Sequence, residues 1–145
     1  MQTPIEYTVI PFDPAGYWEI EQAAGAQPAE PTAVELRQVE AVLTAAIAQV
    51  NQRTEQAHAA YWAANPHGQW GREQALIDLP RYVRQYVAFV TPAGEKLVWV
   101  QLLRYPRADW RTRLRWVLDG GNAYVSATIN PTTGTLLDLT INGSA

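Results

Sequence analysis

The chain is predicted to fold as an α+β domain, with one long N-terminal helix packed on a curved antiparallel meander sheet of four to five strands. Three observations lead there. A single amphipathic stretch of helical period runs through residues 32–64. The segment 82–142 is a succession of short runs rich in Val, Leu, Thr, Tyr and Trp, the composition of strands. Glycine-bearing turns punctuate those runs at Pro92-Ala93-Gly94, Asp119-Gly120-Gly121-Asn122 and Asn130–Gly134, as hairpins require.

The elements follow in order. Ile5–Ile10 is β-branched and aromatic and predicts a short strand that could pair with a sheet edge. Residues 13–31, rich in Pro, Gly, Ala and Glu, read as a loop in which Tyr17 and Trp18 could anchor to the body. Thr32 with Glu35 makes a capping box and starts the helix. Leu36, Val39, Leu43, Ile47 and Val50 form its apolar stripe, which Ala57, Tyr61 and Trp62 could prolong. From 32 to 57 the helix would measure about 39 Å, against about 30 Å for a nine-residue strand. It must therefore overhang the sheet or break near Asn51. Asn65-Pro66-His67-Gly68 ends it, and residues 69–80 leave room for one short helical turn.

In the first hairpin, Tyr82–Thr91 and Glu95–Tyr105 flank the turn, with Val87 beside Trp99 and Phe89 beside Leu97 on the face expected to meet the helix. The opposite face carries Tyr82, Arg84 and Tyr86 next to Val98, Val100 and Leu102, too apolar for plain solvated surface. In the next hairpin, Gly120-Gly121 as the loop sets Leu118 against Ala123, Trp116 against Val125 and Leu114 against Ala127. Arg115 then meets Ser126 and Arg113 meets Thr128, so every pair sorts by polarity. In the last, a simple four-residue loop would pair Ile129 with Leu136 and break the face matching, which predicts a bulge or a loop of another length.

With 145 residues and 48% apolar content, one domain spanning 1–145 with an ordinary core is expected. No cysteine is present, which excludes disulfides, thiol nucleophiles and thiolate metal sites. No apolar run reaches the length of a membrane span, and no signal segment opens the chain. That leaves localisation open between cytoplasm and export after processing. Residues 1–71 hold two Arg against eight acids, and residues 72–115 hold nine bases against four acids; the total is −3. A nucleic-acid binder would carry a basic total.

The order of a short strand, a long helix and an antiparallel meander over residues 32–142 resembles the cystatin-like fold, and also PepSY-type domains, whose turn Asn130–Gly134 is similar. Tyr82-x-Arg84-Gln85-Tyr86, Gly94-Glu95-Lys96, Asp119-Gly120-Gly121-Asn122 and Asn142-Gly143 resemble small bacterial proteins of uncharacterised activity. Protease-inhibiting cystatins carry Gln-x-Val-x-Gly at the first hairpin. Here Gln85-Tyr86-Val87-Ala88-Phe89 lacks the glycine and lies ahead of the turn, so protease inhibition is not what the resemblance implies.

Candidate chemistry is sparse. Glu55-x-x-His58 has the spacing of a di-metal half-site, but the second half-site is missing and a solvated helix end is the better reading. Ser126 and Ser144 sit on no nucleophile elbow, and no phosphate loop or paired carboxylates occur. No cofactor is implied, and the chain leans away from being an enzyme. Arg111, Arg113 and Arg115 would share a strand face with Tyr124, Ser126 and Thr128, suited to anions or a protein partner. The plainer alternative is a solvated outer face. Trp62, Trp70 and Trp110 could gather at the sheet's end.

Two functions follow as expectations. The first is a non-enzymatic interaction domain using the outer sheet face of Arg84, Tyr86, Val98, Val100 and Leu102 with Arg111, Arg113, Arg115 and Tyr124, its partner being a second copy or another protein. The second is a small-molecule site for an anionic ligand, or an enzymatic pocket, at the helix end, using Tyr61, Trp62, His67 and Trp70.

Overall fold

A computed structural model of the protein describes residues 5–16, 20–71, 76–114 and 124–141. The strands are β1 (Tyr7–Val9), β2 (Gln27–Ala29), β3 (Val83–Val90), β4 (Lys96–Leu103), β5 (Tyr124–Asn130) and β6 (Thr135–Ile141), with α1 spanning Ala33–Ala64. One long helix packs against an open six-stranded sheet, so the α+β class holds. The sheet runs β1-β3-β4-β5-β6, with β2 beside the other half of β3. It is mixed rather than antiparallel, because β1 pairs parallel with β3 (Tyr7 opposite Arg84). The short N-terminal strand does join an edge, and the loop expected over 13–31 contains a second short strand.

The helix begins as its capping box dictates. Glu35 N donates to Thr32 Oγ1 at 3.1 Å, and Thr32 N donates to Glu35 Oε1 at 2.8 Å. Val39, Leu43 and Ile47 are buried, and Leu36 and Val50 pack beside them, the expected stripe. Alanines 41, 45 and 48 lie exposed and so contribute helix propensity rather than close packing. The helix does not break at Asn51. That side chain turns inward instead, donating to Ile77 O and accepting from Ile77 N, both at 2.8 Å. At 32 residues the helix is about 48 Å long, and its last turns overhang the sheet. A 3₁₀ turn forms at Leu79–Arg81, at the entry to the sheet itself rather than ahead of Leu79-Pro80.

The β3–β4 register is the expected one, Val87 opposite Trp99 and Phe89 opposite Leu97. Gly94, at φ +87°, closes the turn in the left-handed region that glycine tolerates. The face assignment is reversed, however. Val98, Val100, Leu102, Tyr86 and Ala88 lie beneath the helix, in one core with Val39, Leu43 and Ile47. Val87, Phe89, Leu97 and Trp99 pack against Ile10, Phe12, Ile20, Ala23 and Ala26. Parity decides which residues share a face, not which layer covers it. Phe89 and Trp99 fill the space under the N-terminal segment instead.

The predicted strand over 111–118 is also corrected. Residues 108–113 form turns, with Thr112 N and Arg113 N both donating to Asp109 O. Thr128 pairs with Trp99 and Asp138, and Ala127 with Val100 and Leu139. Both neighbours of β5 are therefore taken, and Arg113 and Leu114 cannot pair there. The turn Asp119–Asn122, with Arg115, Trp116 and Leu118, lies outside the described residues. In the final hairpin Ile129 does pair with Leu136, and the register shifts between Thr128 and Ile129. This is the expected bulge, which lets Leu136 and Leu139 both reach the helix-side core.

Candidate functional site

Among the described residues three places stand out for the groups they bring together or leave open. The first lies between α1 and β3. Arg84 presents Nε and Nη2 to the two carboxylate oxygens of Glu40 at 3.3 and 3.0 Å. Its Nη1 donates to the carbonyls of Leu79 and Tyr82 at 2.9 and 2.6 Å. Tyr86 donates its hydroxyl to Glu40 Oε2 at 2.6 Å, and the Tyr7 ring stands edge-on to Tyr86, 5.6 Å between centroids. The ion pair is nearly closed to solvent, with side-chain exposures of 2% for Arg84 and 20% for Glu40. Burial, together with the Glu40 carboxylate alongside, pushes the Tyr86 phenol well above its usual range. These bonds use four of the five guanidinium N–H donors, which leaves it little capacity to capture a further anion.

The second place is the overhanging helix end. His58, Tyr61 and Trp62 meet Trp70, which the loop 65–71 folds back over them. Ring centroids of Trp70 lie 5.2 Å from His58 and 5.4 Å from Tyr61, both edge-on. Trp62 Nε1 and His58 Nε2 lie 3.0 and 2.8 Å from Trp70 O and 2.9 Å from each other. An imidazole nitrogen cannot donate to a carbonyl while accepting from an indole. Two donors converging on Trp70 O is the consistent arrangement, and it assigns the Nε2–H form to His58. Gly68 permits the fold-back, because a Cβ there would run into the Tyr61 ring. Tyr61, Trp62 and Trp70 therefore come together as expected. His67 is exposed on the loop, and His58 takes its place in the cluster. Trp110 lies elsewhere, its carbonyl on Gln85 over the sheet face away from the helix. Among the described residues no group of metal-ligating side chains forms.

The third place is the sheet's free edge. Among the described residues β6 pairs with β5 on one side and with no strand on the other. Alternation along it puts Leu137, Leu139 and Ile141 on one face and Asp138 and Thr140 on the other. Leu137 and Ile141 are 41% and 37% exposed. No Lys, Arg or Pro interrupts Thr135–Ile141, the devices that commonly blunt an edge strand. The edge at β1 is better guarded. Arg111 pairs with Glu6 at 3.3 Å, reaches the Tyr7 carbonyl and lies over the Trp110 ring, while Thr8 Oγ1 donates to Arg111 O at 2.7 Å.

The expected outer-face residues are thus scattered. Val98, Val100 and Leu102 are fully buried under the helix, and Arg84 and Tyr86 are buried with them. Arg111 and Arg113 sit in turns, Arg113 within 3.8 Å of Asp109. Tyr124 is half-buried at the start of β5, opposite Leu103. Arg115 lies outside the described residues.

Sequence reading missed a polar row across the sheet: Thr8, Gln85, Gln101, Ser126 and Thr140 stand opposite one another on successive strands. Gln85 Nε2 donates to Trp110 O and Arg113 O, both at 2.7 Å. The row thus pins the 107–113 turns by their carbonyls. Gln85 Oε1 is buried and has no hydrogen-bond partner among the described residues. The signal was a glutamine inside each of the two apolar strands, β3 and β4. Comparison with known proteins finds no matching family model, no similar curated protein and no similar solved structure.

Proposed function

We propose that this chain is a non-enzymatic protein-interaction domain and that it binds through the free edge of β6 rather than a face of its sheet. The observation that carries the reading is that edge: seven residues long, without Lys, Arg or Pro and with Asp138 as its one charge, Leu137 and Ile141 standing exposed beside backbone groups that no described strand pairs. An edge of this kind recruits an extended strand, whose main chain supplies affinity and whose alternate side chains supply choice. The central strands have both faces covered by the chain itself, so the edge is the part of the sheet left for a partner. The cystatin-like order expected from the sequence is compatible with this use.

The test is titration of a fluorescently labelled peptide of alternating Thr and Val into the protein, read by anisotropy. Saturable binding that is lost in Leu137→Lys supports the reading. Equal binding by the variant, or none by the wild type at a concentration where it is monomeric, removes it.

A second reading keeps a small-molecule site at the helix end, favoured by the convergence of Tyr61, Trp62 and Trp70 on His58. Tryptophan emission screened across a panel of anionic metabolites decides it. A shift abolished by Trp70→Leu would support the site, and silence across the panel would sink it.

A further inference from the structure

We infer that the occupant of the β6 edge is β6 of a second copy of this chain, paired antiparallel about a two-fold axis through Leu139. This rests on the edge reading above and names its partner. Opposed residues in a sheet share a face. Two copies related by an axis perpendicular to the sheet must therefore place some residue opposite its own counterpart, and the contact is isologous and closes at two.

The available centres differ in how they sort the side chains. Centring on Asp138 sets two carboxylates face to face, and like charges directly opposed destabilise a ladder. Centring on Leu137 puts Asp138 against Leu136 and Leu139 against Thr135. Centring on Thr140 gives Leu137 no partner within the strand. Of these centres Leu139 gives both exposed apolar residues a partner of their own kind: Leu139 meets Leu139, Leu137 meets Ile141 twice, and Asp138 meets Thr140 twice, while Leu136 stays in the helix-side core.

The two large apolar side chains exposed on this strand are then the two that cover each other. The Thr140 hydroxyl already turns to Asp138 Oδ2, at 3.5 Å within the strand, and the pairing brings each carboxylate a second hydroxyl from across the axis. The two sheets become one, with both copies of α1 on the same side of it. No residue of the buried core has to move for this, since Leu136 and Leu139 keep their contacts beneath the helix.

The experiment is sedimentation equilibrium over a concentration series, with three single variants. The wild type is expected to be a reversible dimer, and Leu137→Lys a monomer with unchanged far-ultraviolet circular dichroism. Thr140→Asp sets a carboxylate against Asp138 at two places and should raise the dimer Kd about tenfold. Thr140→Lys sets an ammonium there and should lower it about threefold or more. If the two Thr140 variants shift Kd equally or in the opposite order, the register is overturned. A wild type that stays monomeric at its solubility limit overturns self-pairing. If that monomer still binds the Thr/Val peptide through β6, the interaction reading stands without this partner; if it does not, both fall together.

Discussion

Arg84 and Glu40 meet under the helix as a bidentate pair, and the Tyr86 hydroxyl adds a third bond to the same carboxylate. A buried pair contributes little net stability over an apolar substitute, but removing one member leaves the other charge stranded. Glu40→Ala should therefore cost about 3–5 kcal/mol in chemical denaturation. The double change Arg84→Met with Glu40→Leu should recover much of that loss, and a double variant as unstable as the sum would contradict this account. Tyr86→Phe, which deletes one bond to a charged acceptor, should cost about 2 kcal/mol. A nearby phenol makes stability depend on pH. Burial, partly offset by Arg104, pushes Tyr82 from 10.0 up to about 12. The unfolded chain then releases its proton first, so the contribution is complete below about pH 10 and is lost as pH rises through 12. Thermal melts from pH 9 to 12 should fall more steeply for the wild type than for Tyr82→Phe.

The helix shows the same economy at its ends. Thr32→Ala removes the reciprocal cap and should cost about 1 kcal/mol. Burial would raise the Glu35 carboxyl, but Lys96 at 2.8 Å and the Thr32 amide outweigh it and hold it below 4.5. Its contribution is complete above that value and lost as pH falls below it. Lys96→Ala should therefore shrink the drop in melting temperature on acidification below pH 4.5. At the other end, Gly68→Ala drives a methyl into the Tyr61 ring. The expected result is a loosened 65–71 loop, seen as faster hydrogen exchange there and altered tryptophan emission, while exchange in β3 and β4 stays slow.

On the scale of the molecule, the sheet is a shared middle layer between α1 and the N-terminal segment. Val100→Glu would not yield a folded protein with a changed surface. It would bury a charge beneath α1, and its cost of more than about 4 kcal/mol should leave the chain unfolded by circular dichroism. Phe12 stacks on Phe89 at 5.3 Å, so Phe12→Ala should cost about 3 kcal/mol. That would make the N-terminal segment part of the core rather than a tail.

The helix, its cap, its stripe, the β3–β4 register and the bulge in the β5–β6 pairing were legible in the sequence, because each follows from local chemistry: a side chain capping its own backbone, a 3.6-residue period, a glycine turn and an alternation that must break. The site was much less legible. Arg111 and Arg113 looked like strand residues because Arg-x-Arg alternation fits a strand as well as a turn, and only the pairing of β5 with β4 and β6 excluded them. The apolar Val98, Val100 and Leu102 strip could be read as uncovered, because a strand apolar on both faces does not say which layer lies on which side. His58 and Trp70 met through a chain reversal at Gly68 that no period announces. The free edge of β6 exists only once every other strand has found its neighbour. Local interactions depend on residues a few positions apart and are written in the sequence; which face is covered, and which edge is left open, depends on contacts between segments up to a hundred residues apart, and these were decided only by the fold as a whole.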